Sequence, residues 1–260
     1  MRFNYLPALL FGYSTLCAMP EPLFNEIKTL YTLYGNDKYL INEEVTQRTH
    51  VLQAALVADL AGAPEDVVLA LLIHDIGQIT TLEYVGQTIL LHAKHDEFGY
   101  QWLKDHQFPQ FVCDVVRFHT IAKVVLCIEE PSYFDSLSLA SKESYFIQRD
   151  KYLNEEGQVT LTALLEHPRL LDIKCARKCD DMAKIVGLNE TPDENGVALP
   201  SFDSFYALAA RVYNEENRMP PNPNWQEQIN TFHQMMLNDR SQFEAMIKAM
   251  VGNRLQKIPS

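Results

Sequence analysis

Apolar residues recur along this chain at intervals of three and four, and no convincing alternation of period two appears, so the pattern predicts helices nearly throughout. Leu23, Ile27, Leu30 and Leu33-Tyr34 keep helical spacing until Gly35-Asn36-Asp37 ends the run. Asn42 can cap a second helix with an inner stripe of Val45, Thr49, Leu52, Leu56 and Leu60, which Gly62 closes. Pro64 suits the first turn of a third, from 65 to about 75. A Gly- and Thr-rich loop is predicted from 77 to about 87. Further helices are predicted at 92–104, 109–119, 121–128, 137–148, 161–167 and 169–186. Gly, Asn, Pro, Asp and Glu mark 187–200 as a loop. A helical stretch covers 202–213, a Pro/Asn loop 219–224, and a last helix runs from 225 to about 250. The fold class is all-α. It divides into an N-terminal segment and helix (1–36), a main bundle (37–188) and a C-terminal helical extension (189–260) that packs on it.

Composition narrows the partners. With 22 Lys+Arg against 34 Asp+Glu the net charge is −12, which argues against a nucleic-acid partner but leaves room for a small anion in one local basic pocket. No run of 18 apolar residues exists, so no membrane span is expected. Arg2 precedes an apolar stretch broken by Pro7 and Gly12. With one charge and a poor cleavage site, it reads as a surface segment rather than a signal peptide. The five cysteines are odd in number and lack a C-x-x-C pair, so they read as free thiols of a reducing, cytoplasmic compartment. Cys175 and Cys179 lie one helical turn apart without a nearby partner pair and read as core thiols.

The candidate chemistry starts at His74-Asp75, which closes the apolar run 67–73. Such a pair is costly to bury unless something uses it. His50 lies on the preceding helix, His95 opens the next, His119 ends the one after, and Asp180 lies on a helix whose other face is apolar. Imidazole with carboxylate suits iron, manganese, zinc or nickel. Six such side chains exceed one tetrahedral site and suit two ions bridged by Asp75. His92, three residues before His95, is an alternative ligand. His106, His167 and His233 read as ordinary histidines without partners.

In this order the residues resemble the HD-domain superfamily. More narrowly, 43–184 resembles its diiron oxygenases that cleave carbon–phosphorus bonds. The resemblance rests on Glu43-Glu44-Val45-Thr46-Gln47-Arg48-Thr49-His50, on His74-Asp75-Ile76-Gly77, on His95-Asp96-Glu97-Phe98-Gly99, on the run from His119 to Ser141, and on Arg177-Lys178-Cys179-Asp180. It implies an HD-domain helical bundle with appended C-terminal helices. It also implies a mixed-valent Fe(II)/Fe(III) pair, with His50, His74, Asp75 and Asp180 on one iron, and His95 and His119 on the other across a bridging Asp75. Dioxygen would be co-substrate, and a small phosphonate resembling 2-amino-1-hydroxyethylphosphonate would yield phosphate and a carboxylate such as glycine. Asp75 and Lys123 would stand at the chemistry itself. Lys123, Ser141, Gln148 and Arg177 would hold the phosphonate, Gln78 would touch substrate, and Glu43 would meet an amino group.

Spacing supports that cradle. Lys123 lies one turn after His119 and Arg177 one turn before Asp180, so each cation shares a helix face with a ligand. Three positions differ from the family's pattern. Leu40 stands where the family has an iron-capping Tyr, with Tyr39 beside it. Gln78 stands where it has a His, and Arg149-Asp150 where Gly-Gly is common. The competing readings are a metal-dependent phosphohydrolase acting on a phosphate ester with the same metal pair, and a catalytically silent metal-binding protein. The first is weakened because no Lys follows Gly77.

Overall fold

The computed structural model describes residues 19, 21–36, 44–85, 89–215 and 218–255, leaving aside the side chains of 81–93 and 255. Helices α1 (Glu21–Tyr34), α2 (Gln47–Ala61), α3 (Glu65–Ile73), α4 (Ile76–Val85), α5 (Ile89–Asp105) and α6 (Gln110–Glu129) come first. Next are α7 (Pro131–Ser136), α8 (Leu139–Leu153), α9 (Glu155–Leu165) and α10 (Leu170–Met182). A 3₁₀ turn (Phe202–Phe205) then leads into α11 (Tyr206–Tyr213), α12 (Trp225–Asn238) and α13 (Arg240–Leu255). No strand occurs among the described residues, and none of their helices is long and apolar enough to cross a membrane.

Two helices are apolar nearly all round and therefore central. Every residue of α3 is buried, and in α2 the run from His50 to Ala58 is buried without a break. Thr46 caps α2 by accepting from the Thr49 N–H at 3.1 Å, so the cap lies four residues beyond Asn42, which falls outside the described residues. Gly62 ends α2 in the left-handed region at φ +74°, and the Ala63 N–H returns to the Ala58 carbonyl. Pro64, whose missing N–H costs nothing there, starts α3 at once. This short joint lays α2 and α3 side by side, bringing His50 and His74 together.

Four expectations about the elements need correction. The segment after Gly77 is a helix, α4, rather than a loop. Thr80 turns its hydroxyl inward to the Ile76 carbonyl, and Gly77 is there for close approach: a Cβ on it would stand 1.9 Å from the His95 carbonyl oxygen. The predicted helices at 109–119 and 121–128 are one continuous α6. The predicted last helix is two, because Asp239 is extended (ψ 96°) and its carboxylate caps α13 at the Gln242 N–H. Finally, α10 stops at Met182, four residues short of the predicted end.

The C-terminal helices join the same apolar cluster as the bundle, through Phe202, Ala209, Ile229, Phe243 and Ile247. Ion pairs fasten them at the start of α3. Arg211 reaches Glu65 at 2.5 Å, while Arg218 and Arg169 converge on Asp66 at 2.9 and 2.7 Å. The Asn222 N–H donates to the Gly62 carbonyl at 2.8 Å, and Asn222 Cβ would lie 2.7 Å from a Cβ added at Gly62. Gly62→Ala should therefore lose the αL preference, about 1–2 kcal/mol, and also displace Asn222. A lowered denaturant midpoint with unchanged metal content is expected. An unchanged midpoint would show that the α2–α3 joint tolerates a side chain.

Candidate metal centre

His74 and Asp75 form the turn between α3 and α4, so both side chains leave the helices at one point, in the buried middle of the bundle. Around Asp75 the carboxylate oxygens face different ways. Oδ2 lies 3.8 Å from His50 Nε2 and 3.4 Å from His74 Nε2. Oδ1 lies 3.4 Å from His95 Nε2 and 3.6 Å from His119 Nε2. Asp180 on α10 completes the first side, with Oδ1 at 3.1 Å from His50 and Oδ2 at 3.7 Å from His74. The ligand atoms thus form two buried groups, His50/His74/Asp180 and Asp75/His95/His119. All six side chains picked from the sequence converge, and Asp75 stands between the two groups.

The donor set itself indicates cations. His50 Nδ1 meets the Ala183 carbonyl at 2.8 Å, His74 Nδ1 the Leu71 carbonyl at 2.7 Å and His119 Nδ1 the Val116 carbonyl at 2.6 Å. Each of these nitrogens must carry the proton, which leaves the Nε2 lone pairs pointing inward. His50 and His74 then face each other lone pair to lone pair at 3.2 Å, and His95 Nε2 lies 2.9 Å from that of His119. The His50–His74 contact repels unless a positive charge lies between the rings. The residues fit a pair of metal ions.

Charge is balanced by neighbours. Burial pushes the Asp75 carboxyl up, but the surrounding imidazoles of His74, His119 and His95 together hold it well below the usual range. Burial likewise raises Asp180, and Arg177 with His74 and His50 brings it well down. Burial lowers His74, and Asp75 and Asp180 do not make up the loss. In His50 the neighbouring Asp180 and Asp75 carboxylates overcome burial and raise it. Two amides hold Asp75: Gln47 Nε2 donates to Oδ2 at 2.6 Å and Gln78 Nε2 to Oδ1 at 3.0 Å.

A cavity opens on this centre, lined among others by Gln78, Thr120, Lys123, Ser141, Gln148 and Lys184. Lys123 Nζ donates to Ser144 Oγ at 2.8 Å. Lys184 Nζ donates to Ser141 Oγ at 3.0 Å and Ser138 Oγ at 2.8 Å. The Gln148 carbonyl oxygen has no hydrogen-bond partner among the described residues. Arg177 also lines the cavity, but its guanidinium is ion-paired with Asp180 and Asp181, and Asp181 accepts from the Tyr133 hydroxyl as well. The Arg177 expected to help hold the phosphonate thus lines the cavity with two carboxylates as its first partners. Burial and then Arg177 push the Lys123 ammonium down to about 7.

Glu43, Tyr39 and Leu40 lie outside the described residues, as does the side chain of His92. Two histidines expected to lack partners have them. His106 Nδ1 meets the Trp102 carbonyl at 2.7 Å, and His167 accepts from the Arg169 N–H at 3.0 Å and faces Asp114 at 3.4 Å. Among the described residues His233 has no hydrogen-bond partner, and burial pushes it down to about 4. The thiols of Cys113, Cys127, Cys175 and Cys179 are free and buried, and burial raises the one on Cys175 to about 12. Sequence reasoning missed Gln47, Ser144 and Lys184. Each had a signal, because each lies one helical turn from a residue already chosen: His50, Ser141 and Asp180.

The HD-domain family model matches residues 48–194. The glycine-betaine-forming 1-hydroxy-2-(trimethylamino)ethylphosphonate dioxygenase of Leisingera caerulea is 34% identical over 160 residues, 61% of this chain and 78% of that one. The hydroxymethylphosphonate dioxygenase of Gimesia maris is 34% identical over 154 residues, 58% of this chain and 74% of that one. An uncharacterized protein of Acanthamoeba polyphaga mimivirus is 28% identical over 172 residues, 65% of this chain and 75% of that one.

Metal analysis separates the roles of the two carboxylates. Asp75→Ala should lose both ions together, because each oxygen faces a different group, whereas Asp180→Ala should lose one in preference. Two full equivalents of metal in Asp75→Ala would end the bridging assignment. Lys123→Met tests the buried ammonium. A lysine lowered in the folded state is penalised fully below its folded value, and the penalty lifts as pH climbs toward the unfolded value of about 10.4. Lys123→Met should therefore raise Tm most near about pH 6 and least near about pH 10. The same gain at both would show that Lys123 carries no such penalty.

Proposed function

The chain belongs to the HD-domain phosphonate dioxygenase family, and from that premise we propose that it oxidatively cleaves the C–P bond of a small 1-hydroxyphosphonate. The substrate class would resemble 2-amino-1-hydroxyethylphosphonate. The carbon bearing phosphorus loses its hydrogen and its phosphorus and becomes a carboxylate, glycine for the amino compound. Dioxygen is reduced, and its atoms with those of the substrate balance as carboxylic acid plus phosphate. Two irons, mixed-valent as Fe(II)/Fe(III) and held by His50, His74, Asp75, His95, His119 and Asp180, would supply the redox chemistry.

The observation that carries the reading is a cationic wall facing the Asp75-centred ligands. Lys123 and Lys184 put two ammonium groups on serines of one helix, α8, in a chain of net charge −12. A dianionic phosphonate entering between that wall and the metal centre would take over the serine-bound protons of both lysines. Ser141 and Gln148 add neutral hydrogen-bonding groups to the same cavity lining. The bound anion also restores the proton on Lys123, since a neighbouring negative charge favours the ammonium. Gln78, tied to Asp75, touches the substrate from the metal side. The two named dioxygenase relatives act on phosphonates that differ only in what the hydroxyl-bearing carbon carries, so the substituent would lie away from the cationic wall. The buried free thiols accord with a reducing compartment, and we place the enzyme in the cytoplasm.

Oxygen uptake with a panel of 1-hydroxyphosphonates, with phosphate release measured in parallel, tests the proposal. Equal uptake and release are expected, with two irons per chain. Phosphate release from an ester without oxygen uptake would instead identify a phosphohydrolase. Lys123→Ala should raise the apparent KM about ten- to a hundredfold, the equivalent of a charge-assisted contact of roughly 1.5–3 kcal/mol, with iron content intact. An unchanged KM would remove Lys123 from the substrate site.

A further inference from the structure

Asp96 is buried and belongs to neither ligand group. It directly follows His95 on α5, as Thr120 directly follows His119 on α6. Thr120 Oγ1 donates to Asp96 Oδ2 at 2.6 Å, so one residue beyond the paired imidazoles a second bond ties the same two helices. The same oxygen accepts a short hydrogen bond from the Tyr152 hydroxyl of α8, which is itself 2.7 Å from Thr120 Oγ1. Asp96 Oδ1 takes the Glu97 N–H at 3.0 Å and Lys151 Nζ at 3.1 Å. Donors from three helices thus converge on one carboxylate.

Tyr152 continues a stripe of α8. Ser141, Ser144, Gln148 and Tyr152 follow at steps of three, four and four, so one face of the helix presents the cavity wall and then the hydroxyl that meets Asp96. We propose that Asp96 is a positioning residue for the second metal position: through Thr120 it fixes His95 against His119, and through Tyr152 it seats the helix that carries the anion wall. This rests on the metal centre argued above. The chemistry requires an acceptor on both oxygens. Asparagine would turn an N–H toward either the Lys151 or the Thr120 and Tyr152 donors, and would release one side of the clamp. His50, His74 and Asp180 lie on α2, at the end of α3 and on α10, outside this network, so the first metal position should not feel the change.

Anaerobic titration of metal-free protein with ferrous iron tests it, alongside a thermal melt. Wild type is expected to take two equivalents. Asp96→Asn and the isosteric Thr120→Val should bind the first as wild type does and the second about 10- to 100-fold more weakly, the range for lost partners of ligating groups. If both equivalents weaken alike, or the second is unchanged in Thr120→Val, Asp96 is only a satisfied core acid and the assignment is wrong. A wild-type protein that takes fewer than two equivalents would overturn the metal reading itself, and this inference with it.

Discussion

A single carboxylate between two sets of imidazoles is the constraint on which the rest of the structure depends. Asp75 is buried with an imidazole pair on each side, and neither its charge nor their inward lone pairs could be left unbalanced at that depth. Everything near it meets that demand. Gln47 and Gln78 fix its two oxygens, and backbone carbonyls of Leu71, Val116 and Ala183 set the imidazole protons on the outer side. Ions fit the remaining space because the inward groups of His50, His74, His119, Asp75 and Asp180 are acceptors.

The helices are arranged to keep such a centre dry yet reachable. The apolar surfaces of α2 and α3 remove it from water. Close backbone contact at Gly77 brings α4 against α5, so that the HD turn and His95 can meet. The open side is left to α8, whose serines hold the two lysines. A buried ammonium costs stability unless a partner arrives, and the depressed Lys123 shows that cost retained in the free protein. A site that binds a dianion gains affinity from that retained cost, because binding relieves it. Under the proposed function, stability is traded for recognition at this position.

The C-terminal helices add a second layer. They lie on α3 and α10, the elements that deliver His74 and Asp180, and their arginines neutralise the acids at the start of α3. Acidic side chains in the first turn already suit the helix dipole. Burying them as deeply as here requires the arginines from α11 and the segment after it.

Helical periodicity by itself determined the all-α class and most element positions, because these follow from spacing along one helix or across a short joint; the six convergent side chains were read from the His and Asp residues along the chain and their resemblance to the HD-domain pattern. Residues one turn apart share a face whatever the fold does. Steps taken through that rule, His119 to Lys123 and Asp180 to Arg177, placed both cations beside the centre. The rule could not say what each cation would meet. Arg177 pairs with Asp180 and Asp181, whereas Lys184, just past the end of α10, reaches the serines of α8; the difference lies in where α10 stops and how α8 crosses it. The Gly- and Thr-rich stretch after Asp75 read as a loop because glycine and threonine are weak helix formers in isolation. Tertiary contact with α5 made it a helix, since only a glycine there allows the two backbones to touch. The break at Asp239 came from a local cap, its carboxylate on the Gln242 N–H three residues on, and the continuity of α6 from packing against α3, α5 and α10. Local sequence sets which face a side chain is on; the packing of helices decides what that face finds opposite.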